Sequence, residues 1–207
     1  MLSDVELKAI WDAAERPPHI AVRLLILWGT RNTETASLRR EWLLDEVMTI
    51  PGSHTKNKRP HAIPVRPLAQ SVLDSLPNRG PHYFPSRWEA KDHLDAGSWG
   101  KIKREIQAAS GTKDWQLRDI RRTFRSNMAR LKVPREVAEV LINHAPPVLD
   151  EIYDRYDRLE EKRDALERYE QYLQLLLKSD SLAPPWATRY PRTIVSRSGG
   201  RSIRAAG

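Results

Sequence analysis

A chain of 207 residues, 40% hydrophobic and 30% charged, is long enough for one large domain with a buried core. It has no cysteine and no apolar run of bilayer length, which excludes disulfide scaffolds, thiolate metal sites and membrane-spanning helices. A formal net charge of +8 points to a polyanionic partner.

Ser3-Asp4-Val5-Glu6 reads as a capping box that opens a helix ending near Pro17-Pro18. A second helix is predicted from His19 to Trp28, stopped by Gly29. It is apolar almost all round and so belongs in the centre of the core. A short helix over Thr33–Arg39 follows. Trp42–Ile50, Thr55–Lys58 and His61–Val65, with a turn around Pro51-Gly52, read as a small antiparallel sheet. Pro67 fits the first turn of a helix over Leu68–Leu76. Residues 77–97 are rich in Pro, Gly, His and Asp and read as a long loop, of a length that is usually functional or mobile.

Helical spacing resumes over Ser98–Ala109, Gln116–Leu131 and Pro134–Ile142, and then in one long helix from Val148 to Lys178. The fold class is α+β, mainly α-helical, with a small antiparallel three-stranded sheet. Residues 1–178 form the folded domain, and 179–207 form a basic, flexible C-terminal tail. Charge is uneven. Residues 150–177 are net −4 and 178–207 net +5, which leaves +7 on residues 1–149.

Two segments carry the chemistry. One is Gly29-Thr30-Arg31-Asn32-Thr33-Glu34. The other is Arg118-Asp119-Ile120-Arg121-Arg122-Thr123, followed by Asn143-His144 and Tyr153. A phosphodiester in transit needs fixed positive charge on its non-bridging oxygens and an in-line nucleophile. Guanidinium forks supply the first and a tyrosine hydroxyl the second. On the helix over Gln116–Leu131, Arg118, Arg121, Arg122 and Arg125 flank an apolar stripe of Leu117, Ile120, Phe124 and Met128. Four clustered arginines repel one another unless an anion sits opposite.

Each residue also has a plain reading. Arg31 at a helix end could be a surface cap paired with Glu34, which could equally hold its rotamer. Lys56 could be an edge-strand lysine, and Lys58 and Arg59 are rivals for its role. His144 could be a C-cap. Tyr153, beside Leu149 and Ile152, could be a core tyrosine, with Tyr156 as its neighbour. The six histidines are dispersed and there is no phosphate-binding glycine loop, so neither metal nor cofactor is expected.

Taken in order, Gly-x-Arg-x-x-Glu, Thr55-Lys56 ahead of Ile63-Pro64-Val65, Tyr83-Phe84-Pro85-Ser86, Asp119-Ile120-Arg121-Arg122-Thr123, Asn143-His144 and Tyr153 resemble the catalytic domain of the tyrosine recombinases, the phage integrase family, over residues 3–177. The resemblance implies site-specific DNA cleavage and rejoining through a 3′-phosphotyrosyl intermediate. It implies that Arg31 and Arg121 bind the scissile phosphate, that Lys56 protonates the leaving 5′ oxygen, that His144 adds a hydrogen bond and that Tyr153 attacks. Glu34 would support Arg31, and Lys58, Arg59, Arg122 and Arg125 would contact DNA. The implied setting is double-stranded DNA, a homo-oligomer (a tetramer) on it, and the cytoplasm of a bacterium or phage host.

The sequence departs from the family at Arg118, where a histidine is usual. Arginine stays protonated and cannot be a general base. Arg118 therefore leaves open a second reading, a degenerate domain that only binds DNA. Many members of the family also carry a DNA-clamping domain ahead of the catalytic one.

Overall fold

The computed structural model describes residues 1–86, 92–144 and 158–179. Helix α1 (Asp4–Ala13) opens on the expected capping box, with Ser3 N–H donating to Glu6 Oε2 at 2.7 Å and Glu6 N–H to Ser3 Oγ at 3.3 Å. It stops short of Pro17-Pro18, since residues ahead of a proline avoid helical backbone. Every residue of α2 (Ala21–Trp28) except Arg23 is buried. Removing such side chains from water is worth about 1.5–3 kcal/mol each, so α2 anchors the core.

The short helix α3 (Asn32–Ala36) ends before Arg39. Leu38 and Arg39 turn instead to residues 82 and 83, with Tyr83 N–H donating to Leu38 O at 3.0 Å. Over the described part of residues 77–97 the chain is a loop, as expected. Tyr83 and Phe84 on one side and Leu94 on the other are buried in the core.

The sheet is three-stranded and antiparallel, in the order β1 (Leu43–Leu44), β2 (Val47–Ile50), β3 (His61–Pro64). Two sequence expectations fail here. Trp42–Ile50 is a hairpin, not one strand, folded at Asp45-Glu46, where both residues have positive φ (48° and 60°). Thr55–Lys58 is not a strand. Thr55 Oγ1 lies 3.1 Å from Gly52 O and 2.7 Å from Arg59 O, which closes residues 51–60 into a loop between β2 and β3. Gly52 is needed there, because a Cβ would stand 2.5 Å from Lys58 O.

Helix α4 (Pro67–Asp74) starts on Pro67 as expected, and its Leu68 and Ala69 N–H groups are capped at long range by Glu170, at 2.8 and 3.1 Å. Helices α5 (Ser98–Ser110), α6 (Leu117–Arg130) and α7 (Arg135–Leu141) follow the predicted spans closely. The last helix, α8 (Leu159–Lys178), is shorter than predicted. Arg158, with φ 47°, immediately precedes it, and Glu160 and Glu161 occupy the first turn, where carboxylates favour a helix start. Residues 148–157 lie outside the described residues.

Helix α8 closes the core. Tyr169 packs edge-on to Phe124 of α6, with centroids 5.0 Å apart, and donates its hydroxyl to Ile26 O of α2 at 3.0 Å. Among the described residues, no helix is long and apolar enough to cross a membrane.

Candidate active site

Arg121 is the joint of the site. The apolar face of α6 buries Ile120, Thr123, Phe124 and Met128, and this holds Arg121 partly buried at the edge of the core. Its Nη1 donates to Gly29 O at 2.7 Å, and its Nη2 donates to Ile142 O. Gly29 and Ile142 are the C-caps of α2 and α7. Both carbonyls therefore belong to the negative ends of helix dipoles, a favourable place for a cation. Burial, and then the charge of Arg31, hold the Arg121 pKa down to about 10, against the pull of Glu34 and Glu139. Arg121 remains charged at neutral pH. Two guanidinium groups that repel one another this way gain when a phosphate lies between them.

Gly29 makes the junction possible. Its φ of 61° is left-handed, and an added Cβ would stand 2.4 Å from Phe124 Cδ1. No other residue fits both the turn and the gap. Two residues on, Arg31 is gripped by fully buried Glu34. Arg31 N–H donates to Oε2 at 3.0 Å, and Nη1 donates to Oε1 at 2.8 Å. Glu34 thus sets the direction of Arg31 and compensates its charge.

The end of α7 presents His144. Asn143 has φ 50°, its N–H donates to Val140 O at 2.9 Å, and His144 N–H donates to Glu139 O at 2.9 Å. These two bonds are a Schellman cap with asparagine in the left-handed position. The side chain of His144 is held as well, with Nδ1 2.5 Å from Glu139 Oε2. The other carboxylate oxygen of Glu139 accepts from Arg125 Nε at 2.7 Å. Burial pushes the Glu139 pKa up, but hydrogen bonds from Arg125 and His144 outweigh it, and the net shift is downward.

Lys56 is exposed, in the hairpin loop between β2 and β3. Its neighbour Asn57 ties that loop to the His144 turn through Asn143. The hydrogen bonds thus bring together the segments that carry Arg31, Lys56, Arg121 and His144. Tyr153, and its rival Tyr156, lie outside the described residues. The described tyrosines are otherwise engaged. Tyr83 lies under Arg40, Tyr169 is fully buried, and Tyr172 donates to Asp4 Oδ1 at 2.6 Å.

The arginine face of α6 resolves residue by residue. Arg122 pairs with Asp119 at 3.3 Å, and Arg125 with Glu139. Arg118 is exposed in the first turn, beside a cleft lined by Trp99, Lys103 and Gln116, with no hydrogen bond or ion pair to a described residue. Lys58 is exposed, and Arg59 is half-buried in the Lys56 loop. Sequence reading missed Glu139 and Asn57, and gave Asn143 no role of its own. An acidic residue five positions ahead of a histidine at a helix end was the available signal for the first. Among the described residues, no group of three or more His, Asp or Glu is placed to hold a metal.

Comparison with known proteins follows the same line. No family model matches the chain. A search of curated proteins finds the prophage integrase IntZ of Escherichia coli K12, 26% identical over 181 residues, covering 83% of this chain and 44% of that protein. Among solved structures, the integrase from mycobacterium phage Brujita matches with TM-score 0.64 and 21% identity, covering 80% of this chain and 56% of its own. A lambda integrase dimer bound to a COC′ core site matches with TM-score 0.56 and 19% identity, covering 75% of this chain and 60% of its own. The chain has the catalytic-domain fold of the tyrosine recombinases. It spans less than half the length of the curated integrase. Within this recombinase fold, Arg121 sits where α2, α6 and α7 meet, and Asn57 ties the β2–β3 loop to Asn143 just past the end of α7.

Proposed function

We propose that this chain is the catalytic domain of a site-specific DNA recombinase, which cleaves and rejoins strands through a 3′-phosphotyrosyl bond at Tyr153. The observation that carries the reading is the Arg121 fork between Gly29 O and Ile142 O, which draws Arg31 and His144 to one junction. In this reading Arg31, Arg121 and His144 donate to the non-bridging oxygens of one phosphate. Tyr153 gives its phenol proton to water and attacks phosphorus, the P–O5′ bond breaks, and Lys56 gives its proton to the departing 5′ oxygen. Reversal by another 5′ hydroxyl reseals the strand, since the phosphotyrosine conserves the phosphodiester. Losing one preorganised donor in such a site costs roughly 100- to 1000-fold. Lys58, Arg59, Arg122 and Arg125 supply contacts along the duplex, with a homotetramer as the working form on DNA in a bacterial or phage-infected cytoplasm.

The decisive experiment is covalent capture on a nicked suicide duplex, resolved on a denaturing gel. The wild-type chain should form a protein–DNA adduct, and Tyr153→Phe should bind DNA without forming one. Continued capture by the Phe variant would move the nucleophile elsewhere. A wild-type chain that binds DNA but never forms an adduct would establish the binding-only reading.

A further inference from the structure

We propose that Glu139 is a positioning residue for His144, which fixes the imidazole so that its Nε2 edge faces the DNA phosphate. The assignment rests on the strand-cleavage reading above. One residue grips the histidine twice, through its backbone oxygen on His144 N–H at 2.9 Å and through Oε2 on Nδ1 at 2.5 Å. The carboxylate is itself held, because Arg125 Nε occupies Oε1 at 2.7 Å. With both oxygens committed, the carboxylate has one orientation, and the ring inherits it. The side chain of His144 is 50% exposed, so burial does not fix it, and the hydrogen bond has to. A ring that donates Nδ1–H to a carboxylate has only Nε2 left for a ligand. Once protonated there, it donates from both nitrogens, and the free donor is the one available to a phosphate oxygen.

Two measurements test this. The first is nitrogen-15 NMR of the histidine rings in the DNA-free chain, with His144 identified by its loss in His144→Asn. Neutral His144 should carry its proton on Nδ1 in the wild type and lose that preference in Glu139→Ala. An Nε2–H ring in the wild type, or a spectrum that the substitution leaves unchanged, overturns the grip. The second is the rate of covalent capture at saturating nicked DNA. Glu139→Gln and Glu139→Ala should each slow it by about tenfold, the lower end of what losing the orienting partner of a functional histidine costs at metal sites. DNA affinity should hold. In a His144→Ala background, Glu139→Ala should cost nothing further, because coupled residues are non-additive. Losses that simply multiply would mean that Glu139 acts by another route, such as Arg125, and would overturn the proposal. A wild-type chain that captures no DNA overturns the strand-cleavage reading and the catalytic half of this one, while the NMR result still decides the grip.

Discussion

Asn57 reaches from the β2–β3 loop to Asn143, its Nδ2 donating to Oδ1 at 2.7 Å and to the backbone oxygen at 3.3 Å. This pair joins the loop that carries Lys56 to the turn that carries His144. Asn57 Oδ1 also accepts from Arg59 N–H at 3.2 Å, so one side chain both shapes the loop and docks it. Asn57→Ala should free Lys56 while leaving its charge in place. We expect strand cleavage to slow by up to about 100-fold, the cost of roughly 1 Å of misplacement, with DNA affinity kept. A substrate with sulfur at the 5′ leaving position departs without protonation and should restore the rate. Failure of that rescue would show that Asn57 acts on something other than Lys56.

Gly29 should be the least replaceable residue at the junction. Gly29→Ala places a Cβ 2.4 Å from Phe124 Cδ1 at a φ of 61°. Strain of these two kinds costs at least about 2 kcal/mol, which lowers Tm by roughly 4–8 °C in a domain of this size. Displacing Gly29 also moves the oxygen that Arg121 Nη1 binds, so cleavage should fall by more than the loss of folded protein explains. Calorimetry and the capture rate, measured on the same preparation, check both. A variant with wild-type Tm would mean that Phe124 yields easily.

Much of this was legible in the sequence, and the reasons for the failures are physical. The helices were readable because burial on one face writes a 3.6-residue period, and Gly29 marked a stop because only glycine tolerates both the φ and the proximity of Phe124. The Asp45-Glu46 turn was not readable, because two acidic residues lack the Asn-Gly signature of such hairpins. Nor was the loop at Thr55–Lys58, whose closure depends on a hydroxyl meeting two carbonyls. Arg31, Arg121 and His144 could be singled out by residue type and order. The bonds that bring their segments together, Arg121 to Gly29 and Ile142 and Asn57 to Asn143, join residues far apart in the chain and leave no local pattern.

His61 should make stability depend on pH. Its Nε2 lies 3.0 Å from Leu141 O, at the end of α7. Burial first, and then the charge of Lys162, lower its pKa from 6.5 to about 3, with the Leu141 hydrogen bond opposing and Arg121 and Arg31 adding to the fall. A depressed histidine binds its proton in the unfolded chain before the folded one does. Its contribution to stability is therefore intact above pH 6.5 and is lost as pH falls toward 3. The loss can reach about 1.4 kcal/mol per pH unit in that window. His61→Asn should be less stable than wild type at pH 7, and the two unfolding curves should converge as pH falls. Parallel curves across that range would mean that His61 is protonated while folded.

Arg118→His should cleave at least as fast as the wild type. Arg118 occupies the first turn of α6, where the helix dipole is positive, and a cation there costs about 0.3–1 kcal/mol. It is exposed, and no hydrogen bond or ion pair to a described residue offsets that cost. The neighbouring Asp119 meets the needs of the helix end by accepting from Gln116 N–H at 2.8 Å. Among the described residues, folding thus gains nothing from the guanidinium at 118, and in the proposed reading its use is on the phosphate. Histidine can donate to the same oxygens and, when neutral, can also take the tyrosine proton. The histidine variant should gain rate as pH rises through the ordinary imidazole range, about 6.5, where the arginine enzyme stays flat. Arg118→Ala should be slower than both, and its Tm should match or slightly exceed the wild type. A large loss in Arg118→His with Tm unchanged would mean that the second donor of the guanidinium fork is required, and the departure from histidine would then be a specialised phosphate clamp.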